Sequence, residues 1–240
     1  IDLFQNAAKE NKIEVIYYLL LKENEISKEF FSGNLQLKKI AIPPTITTIG
    51  ASSFLGCKSL KEVAIPSSVI SIESEAFYGC MSLSHVSIPQ SVKSIGNYAF
   101  CACSLKRIFI PSSVTTIGNS CFYGCRSLRD ALIPASIDSI KLHTFSDCPS
   151  LAQMSIPSSV TSIGDYSFAC CSSLESFIIP ENVLTIGIYA FSFDSVLKTI
   201  NIPKNLKTIP ESMFYKCSSL TEINFPDGVT TIGLYAFYQC

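Results

Sequence analysis

The chain has 240 residues, 48% of them hydrophobic, with 18 basic and 19 acidic side chains and a net charge of −1. That balance argues against a nucleic-acid-binding surface, which would carry a basic excess or stripe. No apolar run approaches the roughly 18 residues of a transmembrane segment, and no basic start leads into an apolar core with a small-residue cleavage site.

The first element has a helical period. In "LFQNAAKENKIEVIYYLLLKENEIS", Leu3, Ala7 and Ala8 form one apolar face. Ile13, Ile16, Tyr17, Leu20 and Leu21 form a second, with Asn11 at the turn between them. The pattern predicts a helical cap over residues 1–32. It resembles the helix pair of a single ankyrin repeat, with Asn11 in place of Gly and without the usual T-P-L-H start. The alternative is the last unit of an ankyrin array lying upstream. The chain begins without Met and stops at Cys240, and it is read as a fragment whose targeting signals lie outside.

From residue 33 onward the chain repeats. Ile-Pro recurs at Pro43, Pro66, Pro89, Pro111, Pro134, Pro157, Pro180 and Pro203, and Phe-Pro follows at Pro226. The interval is 23 residues throughout, except for one of 22 where a residue is missing after Cys103. Nine units follow the pattern L-x-x-I-x-I-P-x-S-V-x-x-I-G-x-x-A-F-x-G-C-x-S.

In "LKEVAIP", Val63 and Ile65 alternate with outward positions as a short strand does, and proline ends the run by removing a donor. Val69 and Ile72 begin a second extended piece. The glycine after it (Gly50, Gly96, Gly118, Gly164, Gly187 and Gly233) suits a turn at positive φ. "YAFYGC" is too short for a full helix and reads as a helical or 3₁₀ turn. A single unit cannot bury enough apolar surface to order itself, so the units must stack. The expected fold is therefore an α/β-class solenoid, mainly parallel β with short helical or 3₁₀ turns, running from 33 to 240 behind the cap.

Eight of the eleven cysteines fall three residues after the repeat Phe: Cys57, Cys80, Cys103, Cys125, Cys148, Cys171, Cys217 and Cys240; Asp194 takes the ninth place. A position met once per coil becomes a column, and free cysteine behaves there as a small buried apolar group. Neighbouring Cβ atoms in a parallel register lie slightly too far apart for disulfides. The spacings of Cys101, Cys103, Cys121, Cys125, Cys170 and Cys171 do not make a zinc site. Cys101, Cys121 and Cys170 lie off the column and are expected to be more exposed. His85 and His143 read as exposed polar side chains, not as partners of a thiolate. No catalytic, metal or cofactor set emerges, and the chain reads as non-enzymatic.

The units resemble the leucine-rich repeats of the BspA-like class, from about Leu35 to Cys240. That resemblance implies a horseshoe or flattened parallel solenoid without catalysis. It also implies a cell-surface or secreted protein that binds host or extracellular-matrix proteins. An intracellular, cytoplasmic interaction scaffold in signalling is the alternative, favoured by the ankyrin-like start and the many thiols.

If the strands form one sheet, the fourth residue after each repeat Leu faces outward. That column reads Ala41, Ala64, Ser87, Phe109, Leu132, Ser155, Ile178, Asn201, Asn224. Beside it run Arg107, Asp130 and Gln153. Arg107, Phe109, Asp130, Leu132, Gln153, Ser155 and Ile178 are thus the candidate protein-binding residues, because aromatic and Arg anchors over apolar surface favour binding centres. A basic column of Lys38, Lys61, Lys106, Arg129 and Lys198 flanks them.

Overall fold

The computed structural model describes residue 7, residue 10 and residues 12–240. Most units contribute two short strands, and every strand pair is parallel. The second strand of the pattern forms the longer ladder. It runs through β1 (Glu25–Ile26), β3 (Thr48–Ile49), β5 (Ser71–Ile72), β6 (Ser94–Ile95) and β8 (Thr116–Ile117). It resumes in β10 (Ser139–Ile140), β12 (Ser162–Ile163) and β14 (Thr185–Ile186), then in β16 (Thr208–Ile209) and β17 (Thr231–Ile232).

The Ile-Pro strands make the other ladder: β2 (Lys39–Ala41) with β4 (Glu62–Ala64), then β7 (Arg107–Phe109), β9 (Asp130–Leu132) and β11 (Gln153–Ser155). β13 (Ser176–Phe177) pairs with β15 (Thr199–Ile200). Residues 84–88, whose unit precedes the shortened interval, form no strand. Register nevertheless survives the missing residue, since Ile95 still lies opposite Ile117.

Proline closes each Ile-Pro segment as its chemistry requires and begins a turn: the N–H of Val69 donates to the Pro66 carbonyl at 3.1 Å, and Val114 does the same to Pro111 at 3.0 Å. The segment expected as a helical or 3₁₀ turn is a run of i→i+3 turns with a second role. Ser53, Leu55 and Cys57 donate three residues back within their own coil. Ser52, Phe54 and Gly56 instead donate to Ser74, Ala76 and Tyr78 of the next coil, at 2.9, 2.8 and 2.7 Å. Coils are therefore stitched on the turn side as well as along both strand ladders.

The core is a pile of rings. Ten phenylalanines, one per coil from Phe31 to Phe237, stack nearly parallel with centroids 4.9–6.1 Å apart. Nine of them, up to Phe214, are fully buried. The repeat Leu, Val and Ile positions close around them. The period of the sequence thus becomes a set of interior columns.

The N-terminal region differs from the expected helix pair. One helix is described, α1 (Ile13–Leu20), with Ile16 and Leu20 buried against the first coil and Thr45 Oγ1 donating to the Leu20 carbonyl. Leu21 follows it as an exposed cap. Leu3, Ala8 and Asn11, which carry the rest of the expected pair, lie outside the described residues. Parallel pairing already begins at Glu25, inside the 1–32 stretch, and Phe31 heads the ring stack.

The glycines after the second strand do not serve the conformation expected of them. Positive φ falls instead at Gly33, Gly56, Gly79 and Gly124, and at non-glycine residues such as Ser52, Tyr98 and Tyr166. Gly118 is needed for closeness: a Cβ there would meet the Asn97 nitrogen at 2.3 Å and the Gly96 carbonyl carbon at 2.4 Å. Backbone cannot yield as a side-chain tip can. Gly118→Ala is therefore expected to cost about 1–3 kcal/mol, read by thermal or denaturant unfolding. A variant as stable as wild type would refute the close-approach argument.

Candidate functional site

The sulfur column is the first candidate for chemistry, and its geometry disposes of it. Each column thiol donates to the carbonyl of the Phe in the preceding coil. Cys57 reaches Phe31 at 3.1 Å, Cys80 reaches Phe54 at 3.2 Å, and the pattern continues to Cys217 on Phe191 at 3.0 Å and Cys240 on Phe214 at 3.1 Å. Burial raises the pKa of several of these thiols and keeps them protonated. It pushes Cys57 and Cys125 up to about 12, and Cys103, Cys148 and Cys171 well above the ordinary thiol value. A thiol that does not ionise is no nucleophile. All eleven cysteines are free.

Cys101 and Cys121, expected to be more exposed, are buried, and Cys101 is pushed up to about 11. The turn that buries Cys121 also buries the equivalent Ala76, Ala99 and Ala190. Cys170 is half-buried and Cys240 exposed.

Asp194 interrupts the column. It is completely buried, its Oδ1 accepts the Cys171 N–H at 2.7 Å, and its Oδ2 has no partner. The Phe168 carbonyl, which a cysteine at 194 would serve, receives no thiol. Burial raises the Asp194 carboxyl well above the usual carboxylate range. A neutral acid here can accept from Cys171 and donate as a thiol would.

The histidines stand apart from the sulfurs. His85 is exposed, with Nδ1 2.9 Å from the Ser84 hydroxyl. His143, expected to be exposed, is half-buried in a row of rings, stacked on Tyr166 at 4.8 Å with Tyr166 stacked on Tyr189 at 4.8 Å. Desolvation lowers its pKa. The sequence signal for this row is the aromatic residue two before the repeat Phe, at His143, Tyr166 and Tyr189. Among the described residues no group of three or more His, Cys, Asp or Glu is arranged to hold a metal ion.

The outward column of the Ile-Pro sheet is what remains. Register places Phe109 opposite Leu132 and Leu132 opposite Ser155. Phe109 is 59% exposed, Leu132 50% and Ile178 77%. Inward neighbours Ile108 and Ala131 are buried, so the alternation holds side chain by side chain. Arg107 Nε meets Asp130 Oδ2 at 2.9 Å across the same two strands, and Gln153 is exposed beside them. Arg107 is therefore an occupied cation. Lys106 and Arg129 are exposed and enter no ion pair among the described residues, whereas Lys198 is tied to Glu175 at 2.9 Å.

Parallel two-strand coils, a Phe-stacked core and one outward column per sheet define a leucine-rich-repeat solenoid. The BspA type leucine-rich-repeat region matches in six copies, over residues 24–152 and 115–240, and the chain belongs to that family. A leucine-rich repeat protein from Bacteroides ovatus is 31% identical, with a TM-score of 0.64, over 90% of this chain and 68% of its own. The T. pallidum leucine-rich repeat protein TpLRR is 27% identical, with a TM-score of 0.60, over 62% of this chain and 71% of its own. The pneumococcal vaccine antigen PcpA shares the fold at 21% identity, with a TM-score of 0.53, over 88% and 71% of the two chains. No curated protein matches.

Two outcomes follow from the column. In native protein only Cys170 and Cys240 should alkylate readily, with the other thiols appearing after denaturation; fast modification of Cys57 or Cys125 would refute the buried column. For Asp194, the native carboxyl holds its proton more tightly than the unfolded one, near 3.9. The resulting stabilisation is complete below that pH and is lost as pH rises through the native pKa. Wild-type stability relative to Asp194→Asn should therefore fall as pH is raised from about 4 to about 8. Asp194→Cys should gain on the order of 1–3 kcal/mol at neutral pH by restoring the column. A difference from Asp194→Asn that stays constant with pH would mean that Asp194 does not titrate differently on folding.

Proposed function

We propose that the chain is a non-enzymatic protein-binding module whose docking surface is Arg107, Phe109, Asp130, Leu132, Gln153, Ser155 and Ile178. The observation that carries the reading is the row of large apolar side chains facing outward, Phe109 and Leu132 on the paired strands β7 and β9 and Ile178 just past the end of β13. Exposed apolar residues scattered singly need no explanation. Here two stand in register on adjacent strands with a third two coils on, beside a fixed Arg107–Asp130 pair. Such a surface resembles the core and rim of a binding centre.

The BspA-like class supports attachment to a host or extracellular-matrix protein, and with it a place at the cell surface or outside the cell. The stretch 1–32 would act as the cap and 33–240 as the binding solenoid. A second reading, an intracellular interaction scaffold in the cytoplasm, is favoured by one observation: eleven thiols without a disulfide suit a reducing compartment.

Phe109→Ser with Leu132→Ser tests the surface. Both side chains face solvent, so the melting curve should stay within a few degrees of wild type. Capture on a panel of immobilised matrix proteins should fall at least tenfold. Unaltered capture by the double variant would remove the surface from the reading.

A further inference from the structure

We infer that the partner element for this strip is an acidic amphipathic α-helix of about three turns, lying along the solenoid with one turn per coil. The inference rests on the docking reading above and adds what docks.

Period is the first reason. Parallel strands repeat at about 4.8 Å, so Phe109 to Ile178 spans three coils, or about 14 Å. A helix advances about 5.4 Å per turn, so three turns cover about 16 Å and its apolar stripe stays within about 2 Å of register. An extended chain presents like-facing side chains every 6.6–7 Å and is out of step after one coil.

Backbone chemistry is the second. A peptide added as a strand needs unpaired N–H and C=O groups to bond with. From Phe109 to Ser155 the strip lies on the face of the sheet, where β7, β9 and β11 already bond one another. An extended occupant would leave its own backbone unsatisfied under the contact, whereas a helix bonds internally.

Shape is the third. Ser155 leaves a gap one coil wide between Leu132 and Ile178, room for one large side chain of the helix to enter between two knobs.

Charge fixes the sign. Lys106 and Arg129 immediately precede β7 and β9 on one flank, three residues from the apolar column, about 10 Å along the strand and within reach of a helix of that diameter. Both are exposed cations without an ion pair among the described residues. The next two coils place Ala152 and Glu175 at that position, and the Glu175 carboxylate is taken up by Lys198. On the other flank stand Ser112, Ala135 and Ser158, which are uncharged, and Glu181 beside Ile178. The helix therefore carries carboxylates on its Lys106/Arg129 side.

The test uses an 18-residue peptide held helical by an outer-face lactam, with leucines at i, i+3, i+4, i+7 spacing and glutamates elsewhere. Fluorescence anisotropy against the whole chain reads its binding at about 0.1 M salt. Saturable binding is expected, weakened at least tenfold by Ser155→Tyr, which fills the gap, and by Phe109→Ser with Leu132→Ser. Lys106→Glu with Arg129→Glu should weaken it severalfold, less so at 0.5 M salt. All variants are first matched to wild type in melting temperature.

No saturable binding up to millimolar peptide overturns the helix. So does equal binding of a sequence-scrambled linear peptide or of the Lys-for-Glu version. Sedimentation revealing a dimer that Ser155→Tyr abolishes would assign the face to a second copy instead. Loss of matrix-protein capture in Phe109→Ser with Leu132→Ser, without helix binding, would leave the docking reading standing and remove only its occupant. Helix binding that the same double variant leaves intact would remove the helix from this strip, and unaltered matrix-protein capture alongside it would remove the docking reading as well.

Discussion

Like residues stacked over like residues, one coil apart, is the constraint on which the rest of the structure depends. The Phe column, the thiol column and the two backbone ladders all use the same interval. Each alone is weak: a stacked aromatic pair adds about 0.5–1.5 kcal/mol beyond its burial, and a thiol is a poor donor. Together they leave no coil able to move freely, because a shift strains every column at once. In the one shortened unit the loss is confined to a single ladder. Its missing residue lies in the loop after Cys103, where Ser104 Oγ bonds the Met81 carbonyl at 2.5 Å; the Ile-Pro ladder lapses at residues 84–88, while the second-strand ladder pairs in register on either side.

The same constraint explains which parts of the molecule could be read from sequence. Inward positions recur because packing forces them to, so the Leu, Ile-Pro, Phe and Cys columns were legible, and Phe109, Leu132 and Ile178 could be placed outward by alternation alone. Legibility stopped where backbone geometry decides. Glycine signals both positive φ and close approach, and the sequence alone does not distinguish them. At Gly118 the structure reveals contact with Asn97, while the positive φ sits two residues on, at Ser120. Cys101 and Cys121 went astray for a similar reason. The turn segment alternates between local and inter-coil hydrogen bonds, so burial there follows neither a helical nor a strand period.

The row of tyrosines around His143 belongs to the same gap in reading. These side chains recur less regularly than the core, at two alternating turn positions, and a consensus averages them away. They meet because positive φ at His143, Tyr166 and Tyr189 aims side chains from three successive coils along one edge. Ring contacts on the outside thus echo the Phe stack within, at a place where solvent competes for them.

Asp194 marks the point where a column's chemistry, not its volume, is at stake. Aspartate and cysteine differ little in size, so the coil closes around either, and the Phe stack runs on from Phe168 to Phe191 at 5.3 Å. What changes is the bonding: a thiol supplies one weak donor and a carboxylate supplies none. Only the protonated acid has both the acceptor that Cys171 N–H requires and a donor of the kind the column otherwise presents to the preceding carbonyl. A solenoid tolerates such an exchange because each coil answers only to its neighbours, so the consequence stays local. By the same logic an outward residue such as Ser155 answers to no neighbouring column at all. Change there is free of the packing constraint, and that freedom is why partner specificity on such a scaffold is written in the outward positions.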